Sequence, residues 1–412
     1  MLHKLIVDKQ YRLAWLILFV SFNEGCKWSE IPFFNVPMLW GLLFIIVLTL
    51  LYYRKKTDSI RIIEVYLLWY LICFIRGIFV AENYWDYKCL ITGGFAMSLP
   101  LFVYAFANER VLHCSLNLWL RYALIPFFFV FILFLPRGAY HFYLGPLLIL
   151  ACCFPYVRER KWRLLVIFVL LLMMCADLSA RSQVIKAGLA VVMIFAYYFR
   201  HLITDKMLRI VHIMLFVLPI VLLVLGLTGR FNIFSDLSSR EGKYMEKKIV
   251  DGKVVEEDLS TDTRTFIYEE VIMSALNNDY VVCGRSLARG NDSSFFGSHM
   301  AEELKTGRYE RYANEALWPT IFTWSGIIGL ILLSLIYLQA SYLAVYHSNC
   351  ILMKLLGIYV AFRWAYGWVE DFYSYSPMII ALWMMIAMCY SPQFRNMTDL
   401  QFSVWINSVL RK

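Results

Sequence analysis

The chain has 412 residues, of which 61% are hydrophobic and 17% are charged. A soluble domain of this length carries many more charged side chains on its surface, so the composition excludes an ordinary soluble protein. The formal net charge of +9 would suit a nucleic-acid-binding protein. However, the basic residues follow the connections between apolar segments, and nucleic acid is therefore not an expected partner.

About twelve apolar segments are long enough, or nearly so, to cross a hydrocarbon core of about 30 Å. We expect them at 11–23, 36–53, 62–81, 89–107, 117–135, 140–156, 162–178, 182–200, 208–228, 316–339, 349–367 and 374–391. No small-residue cleavage site follows the first segment, so we expect no cleavable signal peptide. The sequence thus predicts an all-α polytopic membrane protein of about twelve transmembrane helices.

One connection is much longer than the others. Residues 1–228 would form helices 1–9, residues 229–315 a loop domain, and residues 316–412 helices 10–12 and a tail. Lysine and arginine are concentrated in alternate connections, including the one that holds Arg54, Lys55 and Lys56. By the positive-inside rule both termini are cytoplasmic, and the large loop lies on the opposite side of the membrane.

The loop has recognisable local structure. Asp251-Gly252 lies between two short runs of β-prone residues in 248–255, which is typical of a hairpin with a type I′ turn. A helix is predicted over 263–276, because Asp262 can cap it and the apolar residues at 267, 271 and 272 share one face. A second, amphipathic helix is predicted near 298–312.

Two arginines are candidate anion-binding residues. Arg264 lies in the first turn of the predicted loop helix, where a cation opposes the helix dipole at a cost of about 0.3–1 kcal/mol. A bound anion would offset this cost; a salt bridge to Asp262 or Glu269 is the alternative. Arg181 lies at the start of the eighth segment, where it can bind an anion or contact lipid headgroups.

Ionisable residues also occur near the ends of other segments. Lys186 lies inside the eighth segment and could pair with Asp177 or contact a substrate. Arg363, Glu370 and Asp371 surround the connection between the eleventh and twelfth segments, among aromatic residues that are otherwise typical of an interfacial belt. The carboxylates could be bases or could orient the arginines.

These residue types suit one kind of chemistry. Arginine binds phosphate and pyrophosphate, and a carboxylate can remove a proton from an attacking hydroxyl. The sequence lacks the HExxH, GxSxG and P-loop motifs, and its ten cysteines form no CxxC pair, so no metal or other cofactor is expected. We therefore predict transfer from a membrane-embedded, phosphate-linked donor.

Three local patterns, together with the topology, resemble the O-antigen polymerase and O-antigen ligase superfamily of GT-C-type membrane glycosyltransferases. Leu178-Ser179-Ala180-Arg181-Ser182 resembles the arginine-containing start of a late helix. Thr261-Asp262-Thr263-Arg264, followed by a helix and Gly284, resembles the family's loop motif. Asn314-Glu315-Ala316-Leu317, followed by Gly326 and Gly329, resembles the start of the tenth helix.

The resemblance implies a bacterial inner-membrane enzyme with an undecaprenyl-pyrophosphate-linked oligosaccharide as donor, inversion at the anomeric carbon and no metal. Arg181 and Arg264, with Arg363 and Lys186, would bind the donor pyrophosphate. Glu315, Glu370 and Asp371 would be the candidate catalytic carboxylates. Membrane lipid, a chain-length regulator and a flippase are the further partners that it implies.

The chain departs from the ligase pattern at one position. Ligases of this family have a histidine just before the asparagine of the third motif, where this chain has Ala313. This favours a polymerase that joins O-antigen or capsule-type repeat units over a ligase that transfers the glycan to lipid A core or protein. A lipid-linked glycan flippase or transporter is the alternative from another class, and it would require paired charges or broken helices near the bilayer midplane.

Overall fold

The computed structural model describes residues 9–26, 36–55, 60–176, 181–228, 245–250, 253–258, 263–293 and 308–411. This part of the chain is almost entirely helical. Its principal helices are α1 (Lys9–Gly25), α2 (Val36–Arg54), α3 (Arg61–Val80), α4 (Tyr84–Met97), α5 (Glu109–Tyr122), α6 (Pro146–Cys152), α7 (Arg160–Cys175), α8 (Arg181–Tyr198), α9 (Asp205–Leu227), α10 (Thr263–Asn277), α11 (Leu317–Tyr346), α12 (Ile351–Tyr366), α13 (Pro377–Tyr390) and α14 (Asp399–Leu410).

Six helical stretches among the described residues are long and apolar enough to cross a membrane. They are Val36–Arg54, Arg61–Val80, Tyr84–Phe106, Glu109–Phe134, Asp205–Gly226 and Leu317–Tyr346. Helices α2, α3 and α9 leave most of their apolar side chains at least partly exposed. An extensive exposed apolar surface on a long helix is typical of contact with lipid.

Several other predicted spans are shorter apolar helices. Helices α7 and α12 have 16 residues each and α13 has 14. At 1.5 Å per residue these helices measure about 21–24 Å, less than the hydrocarbon thickness. Helix α13 is nevertheless buried along its whole length, so it forms the centre of the bundle.

The predicted sixth span is not one continuous helix. It consists of a short helix Tyr140–Leu144, helix α6 and a 3₁₀ turn Phe154–Tyr156. Pro146 and Pro155 lack the amide hydrogen that an uninterrupted helix needs, which explains the interruptions. The apolar segment predicted at 140–156 is therefore helical but interrupted.

The fourth and fifth helices begin before the predicted apolar segments. Asn83 caps α4 by accepting hydrogen bonds from the amides of Trp85 and Asp86. Asn108 caps α5 in the same way, through the amide of Arg110. Helix α5 is amphipathic and polar on average, so a search for apolar runs misses its first turns.

Helix α11 is broken at Gly326, where φ is +69° and ψ is −170°. A segment of the long loop fills the break: the Arg285 amide donates to the Thr323 carbonyl (2.6 Å), and the Ile327 amide donates to the Val281 carbonyl (2.9 Å). Gly284 also has a positive φ, +73°. The close backbone approach requires glycine on both sides, because a Cβ at residue 326 would lie 2.1 Å from the Val282 oxygen.

The loop prediction is confirmed in two places and wrong in a third. Strands β1 (Met245–Val250) and β2 (Lys253–Asp258) form the expected antiparallel hairpin, whose turn lies outside the described residues. Helix α10 is also present as expected. The predicted second helix, near 298–312, is absent from residues 308–312, because β4 (Glu310–Arg311) pairs there with β3 (Asn291–Asp292). The rest of that predicted helix lies outside the described residues.

The tail after α13 contains a helix that was not predicted from the sequence. A capping box formed by Thr398 and Gln401 begins α14. Its Asn407 side chain donates to the Tyr156 carbonyl (2.8 Å) and accepts from the Arg158 amide (3.0 Å). Helix α14 is therefore packed against the bundle.

Candidate active site

Three charged side chains from different parts of the chain meet beside the connection between α12 and α13. The Lys186 ammonium of α8 lies 2.6 Å from Glu370 Oε1, and Arg363 Nη1 of α12 lies 3.3 Å from Glu370 Oε2. We call Lys186, Arg363, Glu370 and the adjoining Asp371 the charged cluster. It unites four of the seven residues that the sequence singled out.

The charged cluster is shielded from solvent. The Lys186 side chain is 0% exposed, that of Arg363 is 2% exposed and that of Glu370 is 12% exposed. Arg363 also lies over the Phe372 ring, with its guanidinium carbon 4.7 Å from the ring centroid. Burial of two cations around one carboxylate is costly unless further negative charge lies close by.

Arg363 still has capacity to bind a ligand. Its buried Nη2 has no hydrogen-bond partner among the described residues. A buried guanidinium N–H without an acceptor loses hydration without compensation, so an anionic oxygen at this position would be bound favourably.

The two adjacent carboxylates have pKa values shifted in opposite directions. Burial by itself would raise the pKa of Glu370, but the charges of Lys186 and Arg363 outweigh it and lower the pKa to about 2. Burial, and secondly the charge of Glu370, raises the pKa of Asp371 to about 6. Near neutral pH, the Asp371 carboxylate therefore accepts a proton much more readily than the Glu370 carboxylate does.

Tyr373 connects the charged cluster to the start of α11. Its hydroxyl oxygen lies 3.4 Å from the Asn314 carbonyl oxygen, and its hydrogen bond to Asp371 lowers the pKa of that carboxyl against the effect of burial. The neighbouring Glu315 lies 3.4 Å from Arg311 and its side chain is 54% exposed. Glu315 is thus at the open edge of this region.

The loop helix α10 packs directly beside the charged cluster. The Tyr268 hydroxyl donates to the Trp368 carbonyl (2.6 Å), and the two rings stack with centroids 6.1 Å apart. The Leu317 amide donates to the carbonyls of Gly367 and Glu370, at 3.0 and 3.2 Å. The connection that carries Glu370 and Asp371 is therefore held by the loop and by α11 together.

The two other predicted arginines belong to helices that lead to this region. Helix α8 begins at Arg181, five residues before Lys186, which is about 7.5 Å along a helix axis. Arg264 lies in the first turn of α10, four residues before Tyr268. The side chains of Arg181 and Arg264 lie outside the described part of the structure.

One predicted pair is not tested. Among the described residues, the carboxylate in contact with Lys186 is Glu370; Asp177, the partner suggested by the sequence, lies outside the described residues. Tyr268 was not recognised from the sequence, although its position one turn after Arg264 on the same helix face was a usable signal.

A second set of ion pairs organises the loop itself. Arg285 contacts Asp292 at 2.6 Å and Glu310 at 3.2 Å, and Arg289 also pairs with Glu310. Arg308 extends the network to Asp86, at the start of α4. These pairs join β3 and β4 and fasten the loop to the membrane helices. The contacts of Arg308 and Glu310 are therefore those of structural ion pairs.

Within the described ranges, no group of three or more histidine, cysteine, aspartate or glutamate side chains is placed to hold a metal ion. Comparison with protein-family models, curated proteins and solved structures found no match to this chain.

Proposed function

We propose that this chain is a polysaccharide polymerase that joins undecaprenyl-pyrophosphate-linked repeat units at the periplasmic face of a bacterial inner membrane. The observation that carries the proposal is the charged cluster, where two buried cations and two carboxylates with separated pKa values meet beneath the loop helix α10. Cations for a pyrophosphate and a carboxylate for a hydroxyl proton are the groups that this transfer needs.

In the proposed reaction, a hydroxyl of the incoming repeat unit attacks the anomeric carbon of the donor glycan. Asp371 accepts the hydroxyl proton, a new glycosidic bond forms with inversion, and the bond to pyrophosphate breaks. The departing pyrophosphate keeps the electron pair. Arg363 and Lys186, together with Arg181 and Arg264, would stabilise its negative charge without a metal ion.

The structure suggests different roles for the candidate carboxylates. Because Glu370 pairs with two cations and has a pKa of about 2, it is a weak base, and we assign it to positioning Lys186 and Arg363. Asp371 is the proposed base because its pKa is about 6. Glu315, exposed beside Arg311, would contact the acceptor sugar.

The proposed topology has about twelve spans, with both termini cytoplasmic and residues 229–315 in the periplasm. The length of α11 is compatible with this arrangement. The part after the break, from residue 327 to 346, measures about 30 Å and can cross the membrane alone. The part before the break would then extend to the periplasmic surface, with the loop segment that fills the break.

The proposal is tested by the glycan of cells that carry substituted protein. Asp371→Asn, Arg181→Ala and Arg264→Ala should each abolish long chains while the protein remains in the membrane. Asp279→Asn is the matched control, because Asp279 is an exposed carboxylate just after α10. A normal chain-length distribution in the Asp371 and arginine variants would exclude the assigned site.

Loss of the gene distinguishes polymerase from ligase. A polymerase deletion leaves single repeat units attached to the acceptor, because ligation continues without polymer. A ligase deletion leaves polymer on the carrier lipid. We favour the polymerase because Ala313 replaces the histidine that the ligase pattern requires.

The broken helix α11 favours a second candidate, a transporter of lipid-linked glycans, because transporters bind substrates at discontinuous helices. In this chain, however, backbone from the loop already occupies the break. Purified protein in liposomes distinguishes the two candidates: movement of a labelled lipid-linked unit between leaflets, without polymer formation, would support the transporter.

A further inference from the structure

A groove of about 250 Å³ lies between the first turns of α1 and the last turns of α2. This is the end of the bundle remote from the long loop in the proposed topology. The α1 wall carries Lys9, Arg12, Leu13 and Leu16, and the α2 wall carries Ile45, Thr49, Tyr52 and Tyr53. Each set follows the three- and four-residue spacing of one helix face.

The polarity of the groove changes along its length. Exposed Lys9 and Arg12 lie at one end, and the Lys9 ammonium is 5.7 Å from the Tyr52 ring centroid. Seven residues further along each helix, about 10 Å deeper, the walls are Leu16 and Ile45. Two cations above an aliphatic floor match an amphiphile whose anionic group lies at the surface and whose chain follows the helices.

We infer that this groove is a binding site for an anionic phospholipid. Lys9 and Arg12 would bind the headgroup phosphate, and the acyl chain would lie against Leu16 and Ile45. Tyr52 is suited to the headgroup level, where amphipathic aromatic side chains are favoured. The inference is independent of the proposed enzymatic function.

A free phosphate compound offers the same anionic chemistry without the chain. The aliphatic half of the groove would contribute nothing to such a ligand, whereas it excludes water around an acyl chain. Phosphatidylglycerol is therefore the test ligand, phosphatidylcholine of the same acyl composition is the zwitterionic comparison, and inorganic phosphate is the competitor.

The experiment is native mass spectrometry of the purified full chain with the two lipids. The unsubstituted protein should retain phosphatidylglycerol in preference to phosphatidylcholine. Lys9→Gln combined with Arg12→Gln should reduce this preference about 25-fold, because each cation near a lipid surface contributes about a factor of five. Ile45→Ser should weaken retention of both lipids.

Arg160→Gln combined with Lys206→Gln is the matched control. Both residues are exposed in the first turns of α7 and α9, at the same end of the bundle in the proposed topology, but outside the groove. The control should keep the preference for phosphatidylglycerol. Equal retention of the two lipids by the unsubstituted protein, an equal loss in the control, or displacement of the lipid by equimolar phosphate would each overturn the inference.

Discussion

Glu370 shows how one residue can hold a charged cluster together. It is the carboxylate in direct contact with both Lys186 and Arg363, at 2.6 and 3.3 Å. Glu370→Gln would leave two buried cations without this counter-charge, and removal of one partner from a buried ion pair costs about 3–5 kcal/mol. We expect a clearly lower Tm in detergent, measured by the thermal unfolding of the purified protein.

Glu315→Gln is the control for that experiment. Its ion pair with Arg311 is 3.4 Å long and its side chain is 54% exposed, so the loss should be at most about 1 kcal/mol. If both variants unfold at the same temperature as the unsubstituted protein, the ion pairs of Glu370 with Lys186 and Arg363 do not stabilise the fold.

Asp371 leads to a prediction about pH. A general base must be deprotonated, and burial and Glu370 raise the pKa of Asp371 to about 6. Polymer formation by purified protein should therefore increase as the pH rises from 5 to 7, with a midpoint near 6. Asp371→Asn should remove the activity at every pH.

Tyr373→Phe tests the same assignment without removing the carboxylate. The hydrogen bond from Tyr373 favours the ionised form of Asp371 and so lowers its pKa. Without this bond the pKa should increase, and the midpoint of the pH–activity profile should move to higher pH. An unchanged midpoint, or a shift to lower pH, would contradict the role of Asp371.

At the scale of the elements, the break in α11 is the feature most sensitive to substitution. A Cβ at Gly326 would lie 2.1 Å from the Val282 carbonyl oxygen, and its φ of +69° disfavours alanine as well. Gly326→Ala should expel the segment around Gly284 from the break. We expect a lower Tm and faster proteolysis of the loop.

Gly188→Ala is a suitable control because this glycine is inside α8 and a Cβ there meets nothing within 4 Å. The substitution should be neutral or stabilise the helix by up to about 1 kcal/mol. An equally small effect of Gly326→Ala would show that the loop does not depend on the close approach of the two glycine backbones.

Elements set by local signals were predictable from the sequence. The Asp251-Gly252 hairpin and the helix after Asp262 depend on neighbouring residues, and both are present. The structure at 308–312 was not predictable in this way. Its charged residues are compatible with an exposed helix, but in the structure they pair with β3, about twenty residues earlier in the chain. The spacing of apolar and polar residues does not reveal such a pairing between separate segments.

At the scale of the whole molecule, the sequence singled out the residues of the charged cluster but not all of their contacts. The Arg363–Glu370 pair spans seven residues and could be expected from the sequence. The Lys186–Glu370 pair spans 184 residues, and it depends on how α8 packs beside the start of α13. Sequence proximity pointed only to Asp177, the nearest carboxylate in the chain, and could not indicate the distant partner Glu370.

The arrangement of the chain across the membrane gives a final prediction, because the proposed reaction requires the charged cluster to face the periplasm. Cys283 is exposed in the loop, and Lys206 is exposed at the start of α9. In a Cys175→Ser protein, Cys283 should react with a membrane-impermeant maleimide in right-side-out vesicles. A cysteine introduced by Lys206→Cys, with Cys175 and Cys283 both replaced by serine, should react only after the membrane is permeabilised. The opposite pattern would place the loop and the charged cluster in the cytoplasm, where a lipid-linked periplasmic donor could not reach them.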